Sequence, residues 1–264
     1  MGPFSNPIHG EDFTFAVLND AAGIILREDI SLDHVRRRYP TLTNVQSAID
    51  IVFSHAPPGP AEIPQIEPHG DLVEWLLDGE TIGACVSLTP ARHPENTFDR
   101  DQYVASFSAL LEHVLRVTGR RILLFCHIKH DLPYLRRLVE KATQSDRLRI
   151  LPPELDSTVQ RGAIGQLGFF ISSRYHPTIF AVQSELPFLC IKNQFKVEGM
   201  LTKLGLQDVP SCWQDDDASV QRRAFDESWA RRNETRALVG TAAKRAAELG
   251  SVYLQQLTRW GRAV

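Results

Sequence analysis

The hydrophobic pattern of this 264-residue chain alternates short, continuous apolar runs with amphipathic stretches. Ile122–Cys126 contains no polar side chain, which is typical of a strand buried on both faces of a parallel sheet. Tyr103–Val117 instead carries apolar residues at helical spacing. Such alternation, at spacings of a few tens of residues, predicts right-handed βαβ units. The sequence therefore predicts an α/β fold: a Rossmann-like, mostly parallel sheet with flanking helices.

The remaining elements and two domains follow from the same pattern. Strands are predicted at Gly23–Leu26, Ile49–Phe53, Ile82–Leu88, Leu148–Leu151, Gly168–Ile171 and Phe188–Ile191. Helices are predicted at Ile30–Tyr39, Leu132–Ala142, Val159–Leu167 and Pro177–Glu185, and one long polar helix at Val220–Trp260. The prolines between Pro57 and Pro68 predict an irregular loop. We expect a Rossmann-like domain over residues 1–212 and a helical extension, packed on it, over residues 213–264.

Composition and charge narrow the function classes. The chain has 29 Lys and Arg against 32 Asp and Glu, a net charge of -3, which argues against a general nucleic-acid or membrane-surface binder. No apolar run reaches the roughly 20 residues that span a bilayer, and the first residues do not resemble a signal peptide. The four cysteines form no CxxC pair, which predicts buried thiols rather than zinc ligands or disulfides. These features predict a cytoplasmic protein without a membrane span or a structural metal.

Candidate chemistry collects where predicted strands end, the edge at which open parallel sheets bind ligands. The loop at residues 172–177 is the most informative. Ser172 and Ser173 at a helix start favour an anion, Arg174 matches a carboxylate or phosphate, and His176 can transfer protons near neutral pH. Three other strand ends add Arg27, His127 and Lys196. This convergence of positive charge predicts a small polyanionic ligand.

Structural interpretations of the same residues remain open. The two serines could cap the helix, Arg174 could pair with an acid, and His176 could be structural. Arg27 could form a local pair with Glu28 or Asp29. His127 could be a satisfied structural histidine, Lys196 a solvated loop lysine, and Tyr175 a packing residue.

Several of these segments, in order and spacing, resemble the polysaccharide pyruvyl transferase family. Residues 171–182 resemble its S-R-x-H stretch, followed by a strand start at 185–191 and a K-x-E-G loop at 196–200. Glu185 stands in the turn where that family usually has a glycine. Upstream, residues 26–31 resemble its R-D-x-x-S motif with one residue's difference in the placement of the acid, residues 50–53 its D-P-A-F strand, and residues 122–131 its strand ending in histidine. The resemblance extends from about Gly2 to Leu206.

The resemblance implies an architecture larger than this chain. Members usually have two α/β domains that face each other across a cleft, as in the GT-B glycosyltransferase fold. Met1–Phe4 resembles the connection into the second, donor-binding domain. We therefore expect a first domain to be missing here, with part of the acceptor site. Either a partner chain that supplies it or a homo-oligomer is compatible with that expectation.

The resemblance also implies a reaction: transfer of a pyruvyl ketal from phosphoenolpyruvate to two hydroxyls of a polysaccharide or its lipid-linked precursor. Arg27 and Arg174 would hold the carboxylate and phosphate of the donor, with Ser172, Ser173 and Tyr175 beside them. His176 would be the general acid and base, Lys196 would neutralise the leaving phosphate, and His127 would support them. No metal or organic cofactor is implied.

Two other functions compete with this one. The first is a GT-B glycosyltransferase that uses a nucleotide sugar, for which an acid pair on the last helix would be expected. Glu185 and Glu198 are separated by a strand and do not form such a pair. The second is a truncated, non-catalytic module that binds a partner, for which the apolar residues of the C-terminal helix, such as Trp229 and Leu238, would be the interface.

Overall fold

A computed structural model describes residues 15–56, 71–88 and 99–261, except for the side chains of Asp71, Val252, Tyr253 and Trp260. The predicted proline-rich loop, the polar loop through Asn96 and the Met1–Phe4 connection lie outside the described residues. The strands are β1 (Ile24–Leu26), β2 (Val45–Ser47), β3 (Ile82–Cys85), β4 (Ile122–Leu124), β5 (Leu148–Ile150), β6 (Phe169–Ser172), β7 (Phe188–Lys192) and β8 (Ser211–Trp213).

Helices occupy the intervals between these strands. Residues 15–20 form α1, and the others are α2 (Asp29–Arg38), α3 (Asp71–Leu77), α4 (Arg100–Thr118), α5 (Leu132–Lys141), α6 (Ser157–Ile164), α7 (Tyr175–Gln183), α8 (Phe195–Leu204), α9 (Ala218–Ala230) and α10 (Arg232–Gly261). Side chains start several of them: Asp99 caps α4, Asp156 caps α6 and Asp217 caps α9. Each carboxylate accepts hydrogen bonds from amides of the first turn that would otherwise lack a partner.

The main sheet has six parallel strands in the order β5-β4-β3-β6-β7-β8. The first strand of this sheet along the chain is β3. The next two, β4 and β5, add successively on one side of it, and β6 then pairs with its other side. The strand order therefore reverses between β3 and β6, where Ile82 is in register with Phe169. This doubly wound topology confirms the predicted α/β, mostly parallel sheet with flanking helices. It also places a ligand crevice at the carboxyl ends of β3 and β6.

Both faces of the sheet are buried, as the continuous apolar strands predict. Successive strand residues point to opposite faces, so Phe169 and Ile171 join one core cluster while Phe170 joins the other. Helices α4 and α9 cover the first face, and α7, α8 and α10 cover the second. Phe169, Phe170 and Ile171 are fully buried. This burial fixes the β6 strand and the loop that follows it.

A small N-terminal unit docks against α8. In it, β1 and β2 form a two-stranded parallel sheet and α2 packs on a separate small core. Lys203 on α8 pairs with Asp29 of this unit, Nζ to Oδ1 2.9 Å. Gly199 lies so close to Glu28 that a Cβ there would sit 3.1 Å from the carboxylate oxygen Oε2. A residue without a side chain at 199 therefore lets the unit approach the carboxyl edge of the main sheet.

Two predicted elements are wrong, and two strands were not predicted. The strand expected at Ile49–Phe53 is a 3-10 turn, Ile51–Ser54, because Asp50 caps it through Val52 N, 3.1 Å away. The strand that precedes this turn is β2. It was not predicted because it contains the polar residues Gln46 and Ser47 and therefore is not an apolar run. The single C-terminal helix is two helices that break at Arg231, and β8 was not predicted at all.

The C-terminal helices belong to the packed body of the protein. Phe225 of α9 and Val239 of α10 are fully buried, and Trp229 packs against Phe169 with ring centroids 5.5 Å apart. Leu238 remains 40% exposed. The division at residues 212 and 213 stays a prediction, and that position falls inside β8.

The structure also bears on the predictions about membrane spans, metal sites and cysteines. In the described ranges, no helix is both long enough and apolar enough to cross a membrane, and no cluster of three or more acidic, histidine or cysteine side chains could hold a metal. All four cysteines are buried free thiols.

Candidate active site

The candidate site lies at the carboxyl ends of the neighbouring strands β3 and β6, where the strand order reverses. The loops after β3, β4, β6 and β7 end at this edge, and the small N-terminal unit contributes Arg27 and Asp50. The β6 loop passes directly into α7, whose first residue is Tyr175. Strand order therefore brings together side chains that are far apart in sequence.

The two serines of the β6 loop are used inside the protein. The Ser173 hydroxyl donates to the Cys85 carbonyl oxygen at 3.1 Å and accepts from the Ser87 amide at 2.6 Å. Ser172 donates to the Arg174 carbonyl oxygen at 3.0 Å and accepts from the Thr178 hydroxyl at 2.9 Å. Both side chains are buried. These bonds tie the end of β6 to the end of β3 and the start of α7, so the serines shape the crevice from within.

Arg174 is also built into the crevice wall. It is 8% exposed, and its Nη2 atom donates to Oδ2 of the buried Asp131, while Nε lies 3.4 Å from the Val86 carbonyl oxygen. Burial raises the pKa of Asp131, and the guanidinium opposes that shift. A buried charge pair of this kind depends on both partners, because either charge alone would be left without compensation.

A second arginine and a lysine meet on one aromatic ring. The Arg27 guanidinium carbon lies 4.7 Å from the centroid of the Tyr175 ring, and Lys196 Nζ lies 5.2 Å from it. Tyr175 is 5% exposed. Arg27 Nη1 is also 3.4 Å from Oδ2 of Asp50, within the N-terminal unit. The contact of Arg27 with the Tyr175 ring joins this unit to the site. The ring attracts both cations through its negative face and holds them near each other.

Two histidines stand beside this cluster. The rings of His127 and His176 are 6.0 Å apart, and Tyr175 meets His176 edge-on with centroids 5.5 Å apart. Burial lowers the pKa of His127 to about 4, with His176 and Arg174 acting in the same direction. The pKa of His176 is also lowered, chiefly by burial; the Asp50 carboxylate opposes this, and Arg27 and Lys196 add to it. His176 is therefore neutral at neutral pH and can accept a proton.

Arg27 pairs with Asp50 and Arg174 with Asp131, whereas Lys196 has no carboxylate partner among the described residues. Burial lowers the pKa of Lys196 below its ordinary 10.5, and Arg27 and Arg174 lower it further against the pull of Asp50. Cations held together in this way are suited to an anionic ligand, whose charge would relieve their mutual repulsion.

The structure thus groups Arg27, His176 and Lys196 around the ring of Tyr175, and His127 lies next to His176. The roles of these residues in binding or catalysis remain predictions. Sequence reasoning missed Asp50 and Asp131, which position the two arginines. Asp50 is the first residue of the segment that resembles the D-P-A-F strand, but it was given no role, and Asp131 ends the segment that was singled out for its histidine. Their partners are 23 and 43 residues away.

Comparison with protein families matches residues 1–194 of the chain to the polysaccharide pyruvyl transferase family model. The chain belongs to this family. The match contains every candidate residue of the site except Lys196, which follows it by two positions. A comparison with curated proteins returned no match.

Solved structures of other proteins share the fold of this chain. A glycosyltransferase from Rickettsia africae superposes with a TM-score of 0.62 at 9% identity, over 98% of this chain and 68% of that one. Anabaena HepE, solved with UDP and glucose, gives 0.57 at 12% identity, over 100% and 70%. A UDP-forming α,α-trehalose-phosphate synthase from Burkholderia xenovorans gives 0.55 at 12% identity, over 91% and 62%. These likenesses, at 9–12% identity, show the GT-B fold. The family indicates a transferase that acts on polysaccharides.

Two family motifs gain a structural explanation. In the segment that resembles the R-D-x-x-S motif, Glu28 directly follows Arg27. The Glu28 carboxylate caps α2 by accepting a hydrogen bond from the amide of Ser31 at 3.0 Å, so Glu28 is the acid with a structural role there. At the turn where the family usually has glycine, Glu185 has a φ of 53°, in the left-handed region. Glycine adopts that region without the steric cost that a side chain imposes, so the chain keeps the backbone of the turn despite the substitution.

Proposed function

We propose that this chain binds phosphoenolpyruvate and transfers its pyruvyl group as a ketal to two hydroxyls of a polysaccharide or its lipid-linked precursor. The observation that carries the proposal is the cluster of Arg27 and Lys196 on the Tyr175 ring, beside His176. Phosphoenolpyruvate brings a carboxylate and a phosphate, about three negative charges at neutral pH. Two clustered cations, of which Lys196 has no carboxylate partner among the described residues, and a neutral histidine suit both the charge of this donor and its chemistry.

In the proposed reaction, the first sugar hydroxyl attacks C2 of phosphoenolpyruvate. His176 takes the hydroxyl proton, and C3 gains a proton from solvent, which turns the methylene group into a methyl group. His176 then returns its proton to solvent, so the hydroxyl has added across the C2–C3 double bond and the histidine is neutral again. The second hydroxyl then forms the second C–O bond at C2 as the bond to the phosphate oxygen breaks, and its proton leaves with the phosphate. Lys196 and Arg27 stabilise the charge that develops on the leaving phosphate.

This scheme uses only side chains of the protein, and we propose no metal or organic cofactor for it. Phosphoenolpyruvate is a cytoplasmic metabolite, so we propose that the chain acts in the cytoplasm.

Calorimetric titration with phosphoenolpyruvate tests the donor, with UDP as comparator and Arg27→Gln as the variant. Arg27 is the better variant than Arg174, because its side chain is about 30% exposed and its loss leaves the deep pair intact. We expect saturable binding of phosphoenolpyruvate that Arg27→Gln weakens by about 10- to 100-fold, the effect of losing one charge-assisted contact. Binding of UDP instead would favour a nucleotide-sugar glycosyltransferase. Binding of neither would contradict a donor site in this chain.

Tyr175 gives a second test of the same cluster. Its hydroxyl is buried without a hydrogen-bond partner among the described residues, so Tyr175→Phe should bind phosphoenolpyruvate as the parent chain does. Tyr175→Leu removes the ring and should weaken binding by about 2- to 30-fold, the range of a cation–π contact. Melting curves of both variants separate loss of the ring from loss of fold. Equal weakening by phenylalanine and leucine would show that the hydroxyl, and not the ring, is what the site uses.

A further inference from the structure

An aromatic pair stands at the same sheet edge as the cation cluster but takes no part in it. Phe195, the first residue of α8, is 55% exposed, and it is the only aromatic residue among the exposed large hydrophobic side chains of the described ranges. Its ring meets that of Trp213, at the end of β8, with centroids 5.9 Å apart and planes inclined at 68°. Single exposed apolar residues are common, but two rings that fix each other's orientation at a ligand edge are not explained by packing alone.

The surroundings of the pair hold Trp213 in place. Lys192 Nζ lies 4.8 Å from the centroid of the Trp213 ring and 3.5 Å from Oε1 of Glu198. The Trp213 amide donates to Oδ2 of Asp216 at 2.7 Å, and the tryptophan is in register with Lys192 on the neighbouring strand. Trp213 therefore braces the ring of Phe195, whose remaining surface faces solvent. An ammonium group and a carboxylate stand at the margin of the pair, within reach of hydroxyl groups.

The position of the pair links it to the donor site. Phe195 and Lys196 are consecutive in the first turn of α8, and Lys196 reaches the Tyr175 ring from there. Consecutive residues of a helix point about 100° apart around its axis, so one side chain faces the cations while the other faces away from them. A molecule lying on Phe195 is thus adjacent to one held by Lys196.

We propose that Phe195, braced by Trp213, is a stacking platform for a pyranose ring of the acceptor. One face of a pyranose carries C–H groups with a slight positive charge, which match the negative face of an aromatic ring. The equatorial hydroxyl groups project from the rim of the pyranose ring, and Lys192 and Glu198, beside Trp213, are polar groups of the kind that bind hydroxyls. This inference rests on the proposed function for the identity of the acceptor, but the sugar chemistry of the platform does not depend on phosphoenolpyruvate.

Saturation-transfer NMR with methyl β-D-glucopyranoside and methyl β-D-galactopyranoside tests the platform. We expect transfer to the ring C–H groups of at least one glycoside, reduced about 2- to 10-fold by Phe195→Ala, as for loss of an aromatic contact. Phe195→Tyr keeps a ring and should restore the transfer. Val117→Ala is the matched control, because Val117 is 46% exposed near the C-terminal end of α4, before β4 begins and so at the opposite edge of the sheet.

Titration of phosphoenolpyruvate on the same samples separates the two proposals. Glycoside binding that depends on Phe195, without binding of phosphoenolpyruvate, supports the platform and contradicts the proposed donor. Binding of phosphoenolpyruvate with no glycoside transfer, or with transfer that survives Phe195→Ala, overturns the platform and leaves the donor proposal standing.

Discussion

Replacing His176 with glutamine is expected to lower the rate of pyruvyl transfer by about 10²- to 10⁴-fold while phosphoenolpyruvate still binds. Glutamine keeps a polar side chain of similar length but cannot take a proton from the sugar hydroxyl. Arg27 and Lys196, the cations proposed to hold the donor, contact Tyr175 and remain in place. The loss should therefore fall on kcat and leave the donor affinity close to that of the parent chain.

The pH dependence of the rate should identify the proton acceptor. Because burial lowers the pKa of His176, the imidazole is charged only at acid pH, and the rate should rise with pH through a value below the ordinary 6.5. Lys196 acts as a cation, so the rate should fall again at alkaline pH, at a value below 10.5 because its pKa is lowered as well. The expected profile is a bell whose acid limb disappears in the residual activity of His176→Gln.

His127→Gln is the matched control for this variant. His127 lies behind His176, and its pKa of about 4 keeps it neutral through most of that profile. We expect it to lower the rate by no more than about tenfold and to leave both limbs in place. Equal losses from the two substitutions, or a loss of donor binding in His176→Gln as large as that in Arg27→Gln, would contradict the division of roles.

The sequence predicts this fold well because parallel strands are buried on both faces. Strands such as β4 and β6 must then be apolar throughout, which is a local signal. The same reasoning fails at Asp50, where apolar neighbours suggested a strand but one capping carboxylate starts a 3-10 turn. It also fails at β2 and β8, which are three residues long and carry polar side chains. Short strands of this kind are specified by their neighbours in the sheet.

The position of the candidate site could be predicted from the sequence, but the role of each of its residues could not. Loops after parallel strands meet at one edge whatever their residues, so the grouping of His176 and Lys196, which follow β6 and β7, is explained by the topology of the main sheet. Arg27 follows β1 of the separate two-stranded sheet, and it reaches the site because the N-terminal unit docks against α8. Which cation faces the crevice depends on partners far away in sequence. Ser173 is bonded to Cys85, 88 residues earlier, and Arg174 to Asp131, 43 residues earlier. Nothing near Ser173 or Arg174 in the sequence distinguishes a ligand-binding group from one that ties two strands together.

Replacing Asp131 with alanine is expected to lower the free energy of unfolding by about 3–5 kcal/mol, because it leaves the Arg174 guanidinium buried without its partner. Arg174→Ala should cost a similar amount, since it leaves the Asp131 carboxylate buried instead. The double variant Asp131→Leu/Arg174→Leu removes both charges and should recover most of the loss. Urea unfolding of the four chains measures these differences through the midpoint and slope of each transition.

The same variants also test whether Arg174 contacts the donor directly or only supports the wall of the crevice. The resemblance implies that Arg174 holds phosphoenolpyruvate, whereas its burial beside Asp131 assigns it to the wall of the crevice. If Arg174 contacts the donor, the stable double variant should bind phosphoenolpyruvate at least about tenfold more weakly than the parent chain. If Arg174 only supports the wall, the double variant should regain donor affinity along with stability. Additive destabilisation in the double variant would show that the two charges are not coupled in solution, which would contradict the buried pair.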